Sequence, residues 1–143
     1  MNFINNLKQY IFLLFPIILF SENAYVEGKD PKVDKYYERN EKACIEHKLS
    51  KRYACYIAGE KYIYFNKNEM QKGLQYWETS CTSREYGTAC YFLAKTYLDK
   101  SSGSYYNKDK ARKALIKGCQ LNERNSINLG CTEGIKVCCE TSH

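Results

Sequence analysis

Eight cysteines and two histidines are the residues of this 143-residue chain whose chemistry spacing could decide. The ending "GCTEGIKVCCETSH" crowds Cys131, Cys138, Cys139 and His143 together, a density that would suit a metal site, a catalytic thiol, a redox pair or disulfides. A metalloenzyme draws on several histidine or carboxylate ligands, yet His47 and His143 stand far apart in the chain. A Cys-His nucleophile needs a thiol spared from oxidation. No Gly-x-Ser-x-Gly and no Ser-x-x-Lys occurs, and "KTY" at 95–97 stands where a serine hydrolase of the β-lactam type would have Lys-Thr-Gly. Glu46 beside His47 reads as a solvated helix end. The residues themselves call for neither a metal nor a cofactor.

The segment before the cysteines sets their redox environment. Lys8, the apolar run "IFLLFPIILF" (11–20) and the polar "SENA" read as a signal peptide over residues 1–24. Ten apolar residues interrupted by Pro16 span only about half of a bilayer core, so no stable membrane span is expected once the signal is cleaved; an uncleaved tether is the alternative. Residues 25–143 then form one domain that holds all eight cysteines, placed in the periplasm or outside the cell. There an even cysteine count reads first as a disulfide framework, with 105 connectivities open to it. The formal charge of +6 does not point to nucleic acid. Lysines alternate with glutamates, and Lys110, Arg112, Lys113 and Lys117 of "NKDKARKALIKG" spread around a solvated helix.

The cysteines carry a repeat. "ACYIAGEKY" (54–62) and "ACYFLAKTY" (89–97) superpose without gaps, and "GCTEGIKVC" (130–138) follows them with Cys138 where the others have Tyr62 and Tyr97. Cys44, Cys81 and Cys119 end the preceding segments at intervals of 37 and 38 residues. A period of this size is one helix-turn-helix unit. Met70, Leu74 and Trp77 fall on one helical stripe, as do Ala89, Phe92, Leu93, Thr96 and Tyr97. Asp30-Pro31 starts a first helix, and "KSSGSYYN" is a loop before a helix over 108–121. No strand alternation is found. The spacing predicts an all-α chain of six helices, a short solenoid with units over 33–50 (half), 51–82, 86–120 and 126–139 (half).

The unit "KG(x7)C…C-x-x-A-G-x-x-Y", with Lys72-Gly73 and Lys110-Ala111 eight residues before a helix-end cysteine, resembles the Sel1-like repeat, a relative of the tetratricopeptide repeat. The paired cysteines resemble its secreted, disulfide-rich branch, the Helicobacter cysteine-rich protein family, over residues 33–138. That resemblance implies a right-handed α/α superhelix of antiparallel helix pairs, about two and a half repeats long. It also implies disulfides joining Cys44 with Cys55, Cys81 with Cys90 and Cys119 with Cys131, across 10, 8 and 11 intervening residues where the family has seven. Cys138 and Cys139 are then unassigned. They could bond to each other, bond to another chain or reshuffle with Cys131, or remain as free thiols or metal ligands; the ending itself reads as a degenerate terminal repeat.

Members of the family are commonly described as penicillin-binding proteins or β-lactamases, so the resemblance implies β-lactam binding or hydrolysis, for which no catalytic residue can be named here. The repeat architecture leads instead to binding. Stacked helix pairs line a concave surface with the first helix of each unit, and this chain places Tyr56, Glu60, Tyr91 and Lys95 there. Fourteen tyrosines suit a surface that buries much area with few rotatable bonds. The expected ligand is a protein or peptide, or a cell-wall fragment; Tyr62 and Tyr97 are expected to pack between helices.

Overall fold

Helix signals recur every twelve to twenty residues along the chain, and a computed structural model, which describes residues 30–46 and 52–141, turns them into seven consecutive α-helices. These are α1 (Pro31–Ile45), α2 (Ala54–Glu60), α3 (Met70–Thr82), α4 (Gly87–Leu98), α5 (Lys108–Gln120), α6 (Arg124–Thr132) and α7 (Lys136–Glu140). A π-helical turn, Lys61–Phe65, prolongs α2, and short 3-10 segments, Lys67–Glu69 and Lys100–Tyr105, precede α3 and α5. There is no strand among the described residues. The expected signal segment lies outside them. Residues 34–143 cluster as one compact unit, apart from residues 1–33.

Local chemistry sets the helix ends. Asp30 accepts from the backbone N–H of Lys32 at the start of α1, Asn107 from Lys110 at the start of α5, and Glu123 from Ser126 at the start of α6. At the other ends, Asn122 (φ 55°) after α5 and Gly134 (φ 74°) after α6 turn left-handed. This lets Glu123 N–H reach the Gly118 carbonyl and Ile135 N–H reach that of Gly130, closing each terminus over its orphan carbonyls.

From α2 onward each helix packs against the next, and α3, α4 and α5 also touch the helix two places on. This consecutive packing buries one continuous core running from Ile63, Leu74 and Trp77 through Leu93, Tyr97 and Leu115 to Ile135 and Cys138. A small satellite core, Ala43, Cys44, Ala54 and Cys55, joins α1 to α2. Glycines mark the closest approach of α2 and α3: a Cβ on Gly59 would meet the Trp77 ring and lie 2.9 Å from the Gly73 carbonyl oxygen.

Four disulfides staple the array. Cys44 pairs with Cys55 and Cys81 with Cys90, with Cα atoms 4.8 and 4.7 Å apart. The third pairing differs from the one implied by the resemblance. Cys119 bonds Cys138 of α7, not Cys131, and Cys131 bonds Cys139. The reason lies in helix register. Cys90 is the fourth residue of α4, whereas Cys131 is the eighth of α6, one turn further from the junction. Four residues of helix rise about 6 Å, which takes Cys131 past the point opposite Cys119. There Ile127 is the fourth residue, and the Cys119 sulfur faces the Ser126 carbonyl at 3.4 Å. The closing unit is accordingly a short helix pair, α6 and α7, rather than the half-unit and six-helix count expected.

Candidate functional site

Glutamate, tyrosine and lysine recur at matched places in the repeat. Glu41 and Glu78 each stand three residues before a helix-end cysteine, Tyr62 and Tyr97 seven after the next one, and Lys72 and Lys110 nine before the following helix end. At the first interface Tyr62 and Tyr76 donate to Glu41 at 2.8 and 2.7 Å. Lys72 lies 3.0 Å from the same carboxylate and 4.3 Å from the centre of the Tyr62 ring. Burial works against the charge of Glu41, but the hydrogen bonds from Tyr76, Lys72 and Tyr62 outweigh it and hold the carboxyl below its ordinary range. At the second interface Tyr97 donates to Glu78 at 2.6 Å, and Lys110 sits 3.8 Å from that carboxylate and 5.3 Å from the Tyr97 ring centre. Tyr62 and Tyr97 are buried between helices, so these two nodes hold units together. At the third interface Ile116 occupies the glutamate position and Cys138 the tyrosine position, and the Cys119–Cys138 disulfide makes the junction.

A second set of aromatic residues faces outward. Tyr56 stacks on Trp77 with ring centroids 5.8 Å apart and also meets Tyr86 and Phe92 at 5.5 and 5.8 Å; Tyr91 packs edge-on to Phe92 at 5.1 Å. The Trp77 indole N–H donates to the Tyr56 carbonyl at 2.9 Å, which locks α2 to α3 beneath this strip. Tyr56 and Glu60 lie one turn apart on α2, and Tyr91 and Lys95 one turn apart at the equivalent positions of α4. Tyr56, Glu60 and Tyr91 are half-buried, and Lys95 is exposed. Equivalent positions thus carry opposite charges on successive units.

Around Glu60 the aromatic content is higher than repeat matching suggested. The π-helical turn that follows Glu60 presents Tyr64 and Phe65, 50% and 62% exposed. Tyr37 meets Phe65 at 5.6 Å and Tyr36 at 5.5 Å. Burial raises the pKa of Tyr56, and a hydrogen bond to Glu60 raises it further; burial and then the charge of Glu60 do the same for Tyr36, Tyr37 and Tyr64. Tyr64 and Phe65 are residues that repeat matching could not single out, because Asp99 and Lys100 stand at their places in the second unit. The unusual aromatic density of "YIYF" was the available signal.

The cysteines divide by exposure. Six are buried, while Cys131 is exposed and Cys139 half-buried. With every cysteine in a disulfide, none serves as a thiolate ligand or nucleophile, and the described residues contain no group of three or more potential metal ligands. His47 and His143 lie outside the described residues.

The fold and its staples define a class: a disulfide-rich, all-helical protein of consecutively packed helices. No helix among the described residues is long and apolar enough to cross a membrane. No protein-family model, curated protein or solved structure matches the chain.

Proposed function

We propose that this is an exported binding module of the Sel1-like repeat kind, which takes a peptide or protein segment on the outward face of α2 and α4. Four disulfides fit an oxidising compartment, and the apolar run at 11–20 supplies the export signal. The observation that carries the binding role is the chain of ring contacts that runs from Tyr64 over the buried Trp77 to Tyr56, Phe92 and Tyr91, with Glu60 and Lys95 on the same two helices. Rigid aromatic rings with charges beside them are the composition of binding hot spots. A peptide segment, including one from the cell wall, could lay apolar side chains on the rings and pair its charges with Glu60 and Lys95.

The test is selection of peptides from a displayed library on the oxidised protein, followed by affinity measurement against Tyr64→Ser/Tyr91→Ser. Selected peptides should bind the double variant at least tenfold more weakly, with its far-UV spectrum unchanged. Peptides that bind both proteins equally would move the functional surface elsewhere.

A further inference from the structure

We propose that the Cys131–Cys139 disulfide is a thiol-exchange site, at which the thiolate of a second molecule attacks the Cys131 sulfur and is held there as a mixed disulfide. The inference does not depend on the binding face of α2 and α4. It starts from a division among the four disulfides. Cys44, Cys81 and Cys119 are each the next-to-last residue of α1, α3 and α5, and each bonds a cysteine of a later helix. All six residues of these three bonds are at most 5% exposed. The last of the three is enclosed by backbone: the Cys119 sulfur lies 3.4 Å from the Ser126 carbonyl oxygen and the Cys138 sulfur 3.8 Å from that of Leu115, while a Cβ on Gly130 would collide with the Cys138 sulfur.

The fourth bond departs from this pattern in two ways. Cys131 is exposed and Cys139 half-buried, so a sulfur of this bond alone sits on a residue open to solvent. It is also not what attaches the last helix. The Cys119–Cys138 bond already ties α7 to α5, Ile135 is buried at the start of α7, and the N–H groups of Gly134 and Ile135 donate to the Cys131 and Gly130 carbonyls at 3.0 and 2.8 Å. Opening Cys131–Cys139 therefore leaves α6 and α7 in place. Structural disulfides resist reduction, whereas exposed ones are the labile, regulatory or catalytic ones.

The step is an exchange with no net oxidation. The incoming thiolate forms a bond to the Cys131 sulfur, the Cys131–Cys139 bond breaks, and its electron pair passes to the Cys139 sulfur, which takes a proton from water. Exposure selects Cys131 as the sulfur attacked and Cys139 as the one that leaves. The intact Cys119–Cys138 bond, at the neighbouring residue, then keeps Cys139 beside α6. From there its thiolate can attack the Cys131 sulfur in turn, expel the guest as a thiolate and restore the original disulfide. The partner is thus defined by its chemistry, a thiol, supplied either by a small molecule or by a cysteine on the surface of another protein.

The experiment exposes the oxidised protein to glutathione or, in a second arm, to a folded protein carrying a single surface cysteine, then quenches with acid, alkylates with iodoacetamide and digests with trypsin without reduction. The guest should be found on Cys131 in fragment 125–136 at least tenfold more often than on any other cysteine, with Cys139 alkylated and fragment 118–124 still joined to 137–143. A glutathione adduct alone assigns the site to small thiols, and adducts in both arms assign it to protein cysteines as well. After removal of free thiol, the wild-type adduct should be lost at least tenfold faster than a glutathione adduct loaded on Cys139→Ala from glutathione disulfide, the far-UV spectra of the two proteins being the same. Adduct chiefly on Cys139, opening of Cys119–Cys138 at the same rate, or reduction with no adduct at Cys131 would overturn the exchange site. Equal persistence of the adduct in wild type and Cys139→Ala would overturn the return step.

Discussion

The crossed pairing of the last four cysteines is open to a decisive chemical test. Trypsin cleaves after Lys117, Arg124 and Lys136, which isolates Cys119 in fragment 118–124, Cys131 in 125–136, and Cys138 with Cys139 in 137–143. With Cys119 bonded to Cys138 and Cys131 to Cys139, a non-reducing digest releases all three fragments as one covalent cluster. The pairing implied by the repeat, Cys119 with Cys131, would leave 137–143 outside that cluster whenever its two cysteines bonded to each other. Variants resolve the remaining ambiguity. Cys119→Ala/Cys138→Ala should keep 125–136 joined to 137–143, and Cys131→Ala/Cys139→Ala should keep 118–124 joined to 137–143. The Cys119–Cys138 bond closes a loop with a sequence separation of 19, worth about 3 kcal/mol in the loop-entropy model. For a domain of this size that lowers Tm by roughly 15 °C. The Cys131–Cys139 bond, separation 8, is worth about 2.5 kcal/mol on the same scale. Because Cys131 is exposed and the other three disulfides are buried, mild reductant should open Cys131–Cys139 first, read as selective alkylation of fragments 125–136 and 137–143. Recovery of 118–124 joined to 125–136 alone, or first alkylation at Cys119, would refute the register argument.

Other consequences follow from the interfaces. Glu41→Gln should destabilise the protein by about 2 kcal/mol at neutral pH, since it removes a charged acceptor of three hydrogen bonds. The folded Glu41 carboxyl titrates below its ordinary value near 4.5, so this stabilisation is complete above that value and disappears as the pH falls through the lower folded pKa. Wild type and Glu41→Gln should therefore differ in denaturant midpoint at pH 7, and the gap should narrow as the pH falls below 4.5; a gap that stays constant into acid would exclude the charge as its source. Gly59→Ala should cost about 2–3 kcal/mol by overpacking, because the new Cβ meets the Trp77 ring and the Gly73 carbonyl. Urea unfolding measures this, and an unchanged midpoint would show that α2 and α3 can part without loss. Tyr97→Phe should lower stability by about 1 kcal/mol through loss of its hydrogen bond to Glu78, while Tyr64→Phe, on a half-exposed ring that meets Trp77 by ring contact, should be neutral in the same assay.

The sequence alone determined what local patterning controls. Apolar stripes at helical spacing placed α3, α4 and α5 almost to the residue, and cysteine intervals near 37 marked the units, because one helix pair is the smallest element that repeats its own packing. The burial of Tyr62 and Tyr97 and the placement of Tyr56, Glu60, Tyr91 and Lys95 on helices α2 and α4 were legible for the same reason. What failed was matching the third copy by its letters. "GCTEGIKVC" aligns Cys131 with Cys55 and Cys90, yet only three residues separate α6 from α5, so Cys131 lies a full turn beyond the place that Cys90 holds in its helix and α7 supplies Cys138 in its stead. Helix register depends on where the preceding turn closes, here at Asn122 with its left-handed backbone, and no cysteine spacing encodes that. Only the tertiary structure, likewise, could bring Tyr37 of α1, with Tyr36 beside it, against Phe65. Those residues are separated from it by more than twenty positions, and a π turn with no counterpart in the next unit completes the group. Periodicity determines which elements form; the closing of individual turns decides which side chains meet.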